Sequence, residues 1–130
     1  MSDLLQSLSV SASGMRAQGT RLRYLSENMA NADTPGFRRK TTSFVADRRD
    51  GAVSGEVRSG GVRLDQKELP QVFDPSHPLA DETGNYAGSN VNLLIELTDA
   101  RQAQRSYEAN LQMFDQARKM TSSLLELLRR

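Results

Sequence analysis

The stretch NLLIELTDARQAQRSYEANLQMFDQARKMTSSLLELL, residues 92–128, decides the architecture of this 130-residue chain. Taken at a step of seven, one seam runs Leu93, Ala100, Tyr107, Phe114, Thr121, Leu128. A companion seam, offset by four, runs Leu97, Gln104, Leu111, Arg118, Leu125. Neither Gly nor Pro interrupts residues 92–130. Apolar heptads sustained without a breaker predict one long amphipathic helix in search of a partner helix. Such a helix is about 55 Å long, too long for the rest of a small chain to cover as a ball. Gln104 and Arg118 interrupt the seam, and polar residues in such places set register or partner choice at some cost in stability. An ordinary bundle core and an intermolecular seam both fit the pattern.

Residues 2–30 carry a second helical pattern. Asp3 is placed to cap it, with Gln6 three residues on in the capping-box position. One line runs Leu8, Met15, Leu22, Met29, and the other, Leu5, Ala12, Gly19, Ser26, shrinks toward small residues. A large-plus-small seam admits a close approach, and Leu or aromatic knobs from the C-terminal helix are expected to fill it. Gly14 and Gly19 each weaken the helix by about 1 kcal/mol relative to Ala. Alone it is marginal, and it is expected to become ordered on assembly.

Composition bounds the core. Apolar residues make up 37% of the chain and there is no Trp, so one domain with a thin core is expected. Charge is unevenly spread. Residues 38–64 hold seven basic and three acidic residues, whereas residues 65–86 hold one basic and five acidic. Adjoining blocks of opposite sign fit complementarity within the fold or between neighbouring subunits, and fit an ordinary solvated surface equally well. Cysteine is absent, which excludes disulfides and thiolate metal sites. The first residues lack a basic region and a continuous apolar run, so no cleavable secretory signal is expected. No stretch approaches the roughly 20 apolar residues of a spanning helix.

The middle changes character. Residues 41–46, 55–64 and 69–72 have strand-like composition, separated by Asp50-Gly51 and Asp65-Gln66, with the last strand demoted to an edge by Pro70. Gly60-Gly61 is a candidate break within the second. Residues 73–89 are rich in proline and polar residues and read as an extended connector. Ser89, Asn90 or Asn92 then caps the long helix, whose first turn carries Glu96.

A search for chemistry finds none. His77 is the single histidine and sits in a loop between Ser76 and Pro78. No metal-ligand spacing surrounds it. Gly60-Gly61 lacks the Lys-Ser/Thr of a phosphate loop, and a serine nucleophile elbow is missing. Arg38-Arg39-Lys40 and Arg48-Arg49 are basic clusters without interleaved aromatics or a recognised nucleic-acid fold. The chain is therefore expected to be no enzyme, to take no cofactor, and to bind neither nucleic acid nor a small-molecule substrate.

The first helix ends in a corner. Asn31 suits a left-handed C-cap, Thr34 is pushed extended by the following proline, and Pro35-Gly36 suits the centre of a type II turn with Phe37 packing just beyond. The whole run at 28–39, NMANADTPGFRR, resembles the signature of bacterial flagellar basal-body rod and hook proteins. Downstream, DPSHPLAD at 74–81, NVN at 90–92 and RSYEAN at 105–110 resemble the proximal-rod branch of that family, in the family's order. One departure is the short, direct turn at 33–36, where some relatives carry a longer insertion.

The resemblance implies a structural subunit of the proximal rod that self-assembles into a helical axial structure, transmits motor torque and surrounds the export channel. It implies a place in the periplasmic rod of the basal body, reached through the flagellar type III apparatus without a cleaved signal peptide. Implied partners are other rod proteins, copies of itself, and adapter proteins on the basal-body ring and export-gate side. The expected fold is mainly α with a small β-rich middle, its long terminal helices forming a coiled-coil-like antiparallel pair. The expected divisions are 1–30 (N-terminal helix, assembly region), 31–90 (signature turn, short strands and connector) and 91–130 (C-terminal helix). Leu8, Met15, Leu22, Leu97, Tyr107, Leu111, Phe114, Leu125 and Leu128 are the expected helix-packing contacts. Asn31, Thr34, Pro35, Gly36 and Phe37 are expected to set the corner. A soluble coiled-coil adaptor or chaperone with one protein partner is the alternative, and it predicts a discrete complex instead of an ordered tube.

Overall fold

The computed structural model describes residues 2–130. Helix α1 spans Ser2–Ala30 and helix α2 spans Leu93–Leu128. Between them lie β1 (Lys40–Arg49), β2 (Ala52–Leu64), β3 (Gln71–Phe73) and β4 (Asn85–Ala87). Two long terminal helices thus bracket a small β-rich middle, as the heptads and turn signals predict.

The helices pair antiparallel. Asn28 meets Glu96, Arg21 meets Gln102, and Gly14 lies under Asn110. The residue numbers of each pair add to nearly the same total, 123 or 124, as they must for two antiparallel helices of equal rise. That total sets Ser2 level with about residue 122, so the last two turns of α2 project about 10 Å beyond the described start of α1. Residues 122–130 are all exposed. Asn92 caps α2, its side-chain oxygen accepting the Leu94 N–H at 3.0 Å.

Burial runs one residue out of phase with the apolar seams. On α1 the buried positions include Ser11, Gly14, Leu25 and Asn28, which sit one residue before the expected lines. On α2 the buried residues are Glu96, Ala103 and Ala117, again one residue before the line through Leu97, Gln104, Leu111 and Arg118. One residue is about 100° of helix rotation. Small side chains at Ser11, Gly14, Ala103 and Ala117 let the two backbones approach, and close packing there replaces large-knob interdigitation. The knob in the α1 groove is accordingly not the expected Leu or aromatic. It is Asn110, whose amide would lie 2.8 Å from a Cβ placed on Gly14. Among the described residues the fully buried apolar side chains are Ala17, Leu25, Ala103 and Ala117.

β1 and β2 form an antiparallel hairpin closed by Asp50-Gly51, with φ of 52° and 80° at the two turn residues. Positive φ at both positions is what the twist of a two-residue hairpin demands. Gly60-Gly61 does not break β2. The register instead shifts between Thr42 and Phe44 and again between Ala46 and Arg48, so the longer strand bulges against the shorter one. β2 leans on α1, where the Val57 N–H donates to Ser13 Oγ at 3.1 Å and Gln6 Nε2 donates to the Ser54 carbonyl at 3.2 Å.

The third strand does not join this hairpin. β3 pairs antiparallel with β4, giving a second two-stranded sheet. The expected plain connector therefore doubles back, because Asp74 and Asp81 nucleate tight turns. Asp74 Oδ1 accepts from the Ser76 N–H and hydroxyl, and Asp81 Oδ1 accepts from the N–H groups of Thr83 and Asn85 and from the Thr83 hydroxyl. These bonds hold the Asp81 carboxyl below its ordinary range, the Thr83 hydroxyl contributing most.

Candidate functional site

The out-of-phase packing turns large apolar side chains outward. Leu97, Leu111 and Leu125 are 44%, 48% and 47% exposed, Tyr107 and Leu128 are exposed, and Phe114 is half-buried. Leu8, Met15 and Leu22 on α1 are half-buried at the margins of the helix pair. The nine positions therefore split. Five line the solvent side of α2, and four border the intramolecular seam without filling it. Fully burying a leucine is worth about 1.5–3 kcal/mol, so each half-exposed one has about 1 kcal/mol still to gain from a neighbour.

Hydrogen bonds hold the corner at Asn31, Thr34, Gly36 and Phe37. Asn31 is not left-handed: among the described residues the positive-φ position that is not glycine is Asp50. Asn31 instead stays within the last turn, its N–H reaching the Glu27 carbonyl at 3.1 Å while its own Nδ2 donates to the same carbonyl at 2.8 Å. The side chain thus does the capping that a left-handed backbone would otherwise do. Thr34 Oγ1 donates to Asn31 Oδ1 at 3.0 Å. Pro35 and Gly36 take the centre of a turn closed by the Phe37 N–H and the Thr34 carbonyl at 3.2 Å, with Gly36 at φ 73°. The Gly36 N–H then reaches the carbonyls of Ala87 and Gly88, and the Phe37 carbonyl accepts from the Asn90 N–H. The corner is fastened to the strand that leads into α2.

Below the corner lies a polar knot. Asn28 and Glu96 are both 0% exposed. The Asn28 side chain pairs with both backbone groups of Lys40 at 2.8 Å and donates to Glu96 Oε2 at 3.2 Å. Glu96 Oε1 holds Arg39 Nε, and Arg39 Nη2 donates to Asp99 at 3.1 Å. The Arg39 N–H donates to Asn90 Oδ1, whose amide donates to the carbonyls of Asp65 and Lys67. Lys40 Nζ reaches Glu27 at 2.6 Å and holds that carboxyl below its ordinary range. Buried polar groups are tolerated when each is hydrogen-bonded, and here each is. One cluster ties the end of α1, the start of β1, the exit of β2 and the start of α2.

Sequence reasoning placed Glu96 as a helix-dipole charge and missed this knot. The usable signal was that Asn28 and Arg39 sit inside the quoted corner motif while Asn90 sits inside the helix-start motif. The knot also disposes of the first basic cluster: Arg39 and Lys40 face carboxylates, and Arg38 donates to the carbonyls of Asp65 and Lys67. Arg49 pairs with Asp47 and Glu56. His77 stacks on Tyr86 with ring centroids 4.0 Å apart, and its Nδ1 accepts from the Leu79 N–H. Among the described residues no group of three His, Cys, Asp or Glu side chains is arranged to hold a metal, and no helix is long and apolar enough to cross a membrane.

The site consists of a helix, a corner fastened to a second helix, and a line of exposed leucines. Two family models match where those features lie. The one described as flagella basal body rod protein covers residues 8–38, and the one described as flagellar basal body rod FlgEFG protein C-terminal covers residues 82–127. Among individual proteins, the chain is 41% identical to flagellar basal-body rod protein FlgC of Agrobacterium fabrum, over 99% of this chain and 98% of that protein. It is 31% identical to FlgC of Salmonella typhimurium, over 95% and 97%, and 29% identical to FlgC of Borreliella burgdorferi, over 96% and 97%. The chain belongs to the FlgC family of flagellar basal-body rod proteins. It is a structural subunit of the basal-body rod, assembled with other flagellar components, and not an enzyme.

Proposed function

We propose that the leucine line of α2 is the surface through which this subunit packs against copies of itself and against other rod proteins, forming the proximal rod around the export channel. The observation that carries this is the phase of burial. Small residues close the helix pair, and Leu97, Leu111 and Leu125 are left facing out. The half-buried Leu8, Met15, Leu22 and Phe114 then take part at the margins, and residues 1–30 and 91–130 act together as the assembly region. The two-turn projection of α2, ending at Leu128, reaches a subunit in the next layer or an adapter on the ring and export-gate side. Long helices laid along an axis share torque over many side-chain contacts. A core as thin as this one is compatible with export as an unfolded chain through the type III apparatus.

Leu111→Asp tests the surface. Leu111 is exposed in the subunit, so the substitution leaves the monomer within about 0.5–1 kcal/mol of wild type. It is expected to abolish rod assembly and motility while the chain is still exported. Phe114→Asp is a poorer probe, because the half-buried ring also supports the helix pair. Intact rods containing Leu111→Asp at wild-type occupancy would overturn the assignment.

A further inference from the structure

We propose that a second apolar line on α2, made by Ile95, Met113, Met120 and Leu127, is the surface on which the leucine line of the next copy seats. The inference rests on the assembly reading above and names what the leucine line meets. All four side chains are exposed. Each stands two residues after a position in the heptad seams, at Leu93, Leu111, Arg118 and Leu125. Two residues are about 200° of helix rotation, so the second line follows the flank of α2 opposite the first. Gln102, Ala109 and Gln116 fill the places between, and this flank carries no charge along its length. Asp99, at its inner margin, is held by Arg39 and Arg21. Arg101, Arg105, Glu108, Lys119 and Glu126 fall on the outer face between the two flanks. β1 and β2 lie against α1 and not against α2, so the second line is left bare in the subunit.

The occupant follows from what the leucine line requires. Two leucine lines pressed together make an isologous contact, which closes a pair and stops. An array that grows needs the leucine line of one copy to land on a different surface of the next. That surface has to be apolar, uncovered and as long as the leucine line. The line from Ile95 to Leu127 meets all three conditions on the same helix. Because both lines belong to α2, the α2 helices of neighbouring copies then lie side by side and parallel. The chemistry suits the contact as well. Unbranched methionine side chains adapt their shape to a neighbour, so Met113 and Met120 accommodate the stiffer knobs Leu111, Tyr107 and Leu125. Beside Met113 a hollow of about 360 Å³, bordered by Asp3, Gln6, Val10 and Ser11 of α1, leaves room for a knob to enter.

The chain has no cysteine, so introduced thiols report their own contacts alone. Full-length Leu111→Cys is co-expressed with Met113→Cys or with Met120→Cys, and basal bodies are purified and treated with a short bis-maleimide. A covalent dimer is expected from the mixtures and not from any version by itself. Leu111→Cys bridging to itself, or to a different protein, overturns the proposal and leaves the leucine line as an assembly surface. Rods that contain both versions and give no dimer overturn it too. Met120→Glu supplies a second measurement. Met120 is exposed, so the free chain is expected to melt as wild type does. A carboxylate stranded in an apolar contact is expected to lower incorporation into basal bodies about tenfold or more. Gln112→Glu, on the charged outer face, is expected to incorporate normally. Equal loss for the two variants, or Met120→Glu at wild-type occupancy, refutes the second line. If Met120→Glu is normal while Leu111→Asp is lost, the leucine-line reading stands without this one; if Leu111→Asp is also normal, both fail.

Discussion

Removing one member of the Arg39–Glu96 pair gives an ordered set of stabilities. Stranding a buried charge costs about 3–5 kcal/mol. In Arg39→Met the stranded group is Glu96, fully buried and left with Asn28 alone, so the loss lies in that full range. In Glu96→Ala the stranded group is Arg39, one-fifth exposed and still 3.1 Å from Asp99 and 3.9 Å from Asp65. Those partners and the solvent hold its loss to about 2–3 kcal/mol. The double variant Arg39→Met/Glu96→Leu strands neither charge and is expected to be more stable than Arg39→Met by about 1–3 kcal/mol. At about 3 °C per kcal/mol for a chain of this size, Arg39→Met melts about 9–15 °C below wild type and Glu96→Ala about 6–9 °C below. Thermal and urea melts of the full-length chain, followed by far-UV circular dichroism, measure all four. A double variant less stable than Arg39→Met, or Glu96→Ala indistinguishable from wild type, would show that the knot does not fasten the helix pair.

Three further outcomes follow from the packing and the turns. Gly14→Ala gains about 1 kcal/mol of helix propensity but forces the Asn110 amide aside, so Gly14→Ala with Asn110→Ala should be the more stable of the two variants in urea; equal midpoints would show that Asn110 does not occupy the groove. Hydrogen exchange of the free chain should be graded, with Arg21 to Asn28 and Glu96 to Ala103 protected and residues 2–10 and 122–128 exchanging fast, and uniform protection of α1 to its first turn would contradict it. Glu27 and Asp81 both have folded-state values below the ordinary carboxylate range, so the stability they supply is complete above about pH 4.5 and is lost as pH falls through those lowered values. The urea-midpoint gap between wild type and Glu27→Gln should therefore shrink between pH 5 and pH 3, and a gap that widens on acidification would reverse the sign.

The helices were legible because Leu, Met and Phe recur every seven residues with no breaker in α2. The face they bury was not. Hydrophobic periodicity weights Leu111 and Leu97 heavily and gives Ala103, Gly14 and Ser11 no weight, yet the smaller residues are the ones that let the backbones meet. The Pro35-Gly36 turn was legible from proline's fixed φ and glycine's freedom. Asn31 departs from the left-handed cap because an asparagine can satisfy a helix end with its side chain as well as its backbone. β4 escaped notice because Asn85–Ala87 is three residues long and forms only once the Asp81 turn folds it back onto β3. The polar knot joins residues 12 to 68 apart in sequence, and no local pattern announces a contact at that range.

A core of one leucine and three alanines has a mechanical meaning. Apolar burial along the helix pair is slight among the described residues, and the charged hydrogen bonds of the Asn28–Arg39–Glu96 cluster fasten the pair at one end. Under the packing proposed above, stiffness belongs to the stacked tube, where each helix is gripped by its neighbours, and one unseated helix weakens every layer that leans on it.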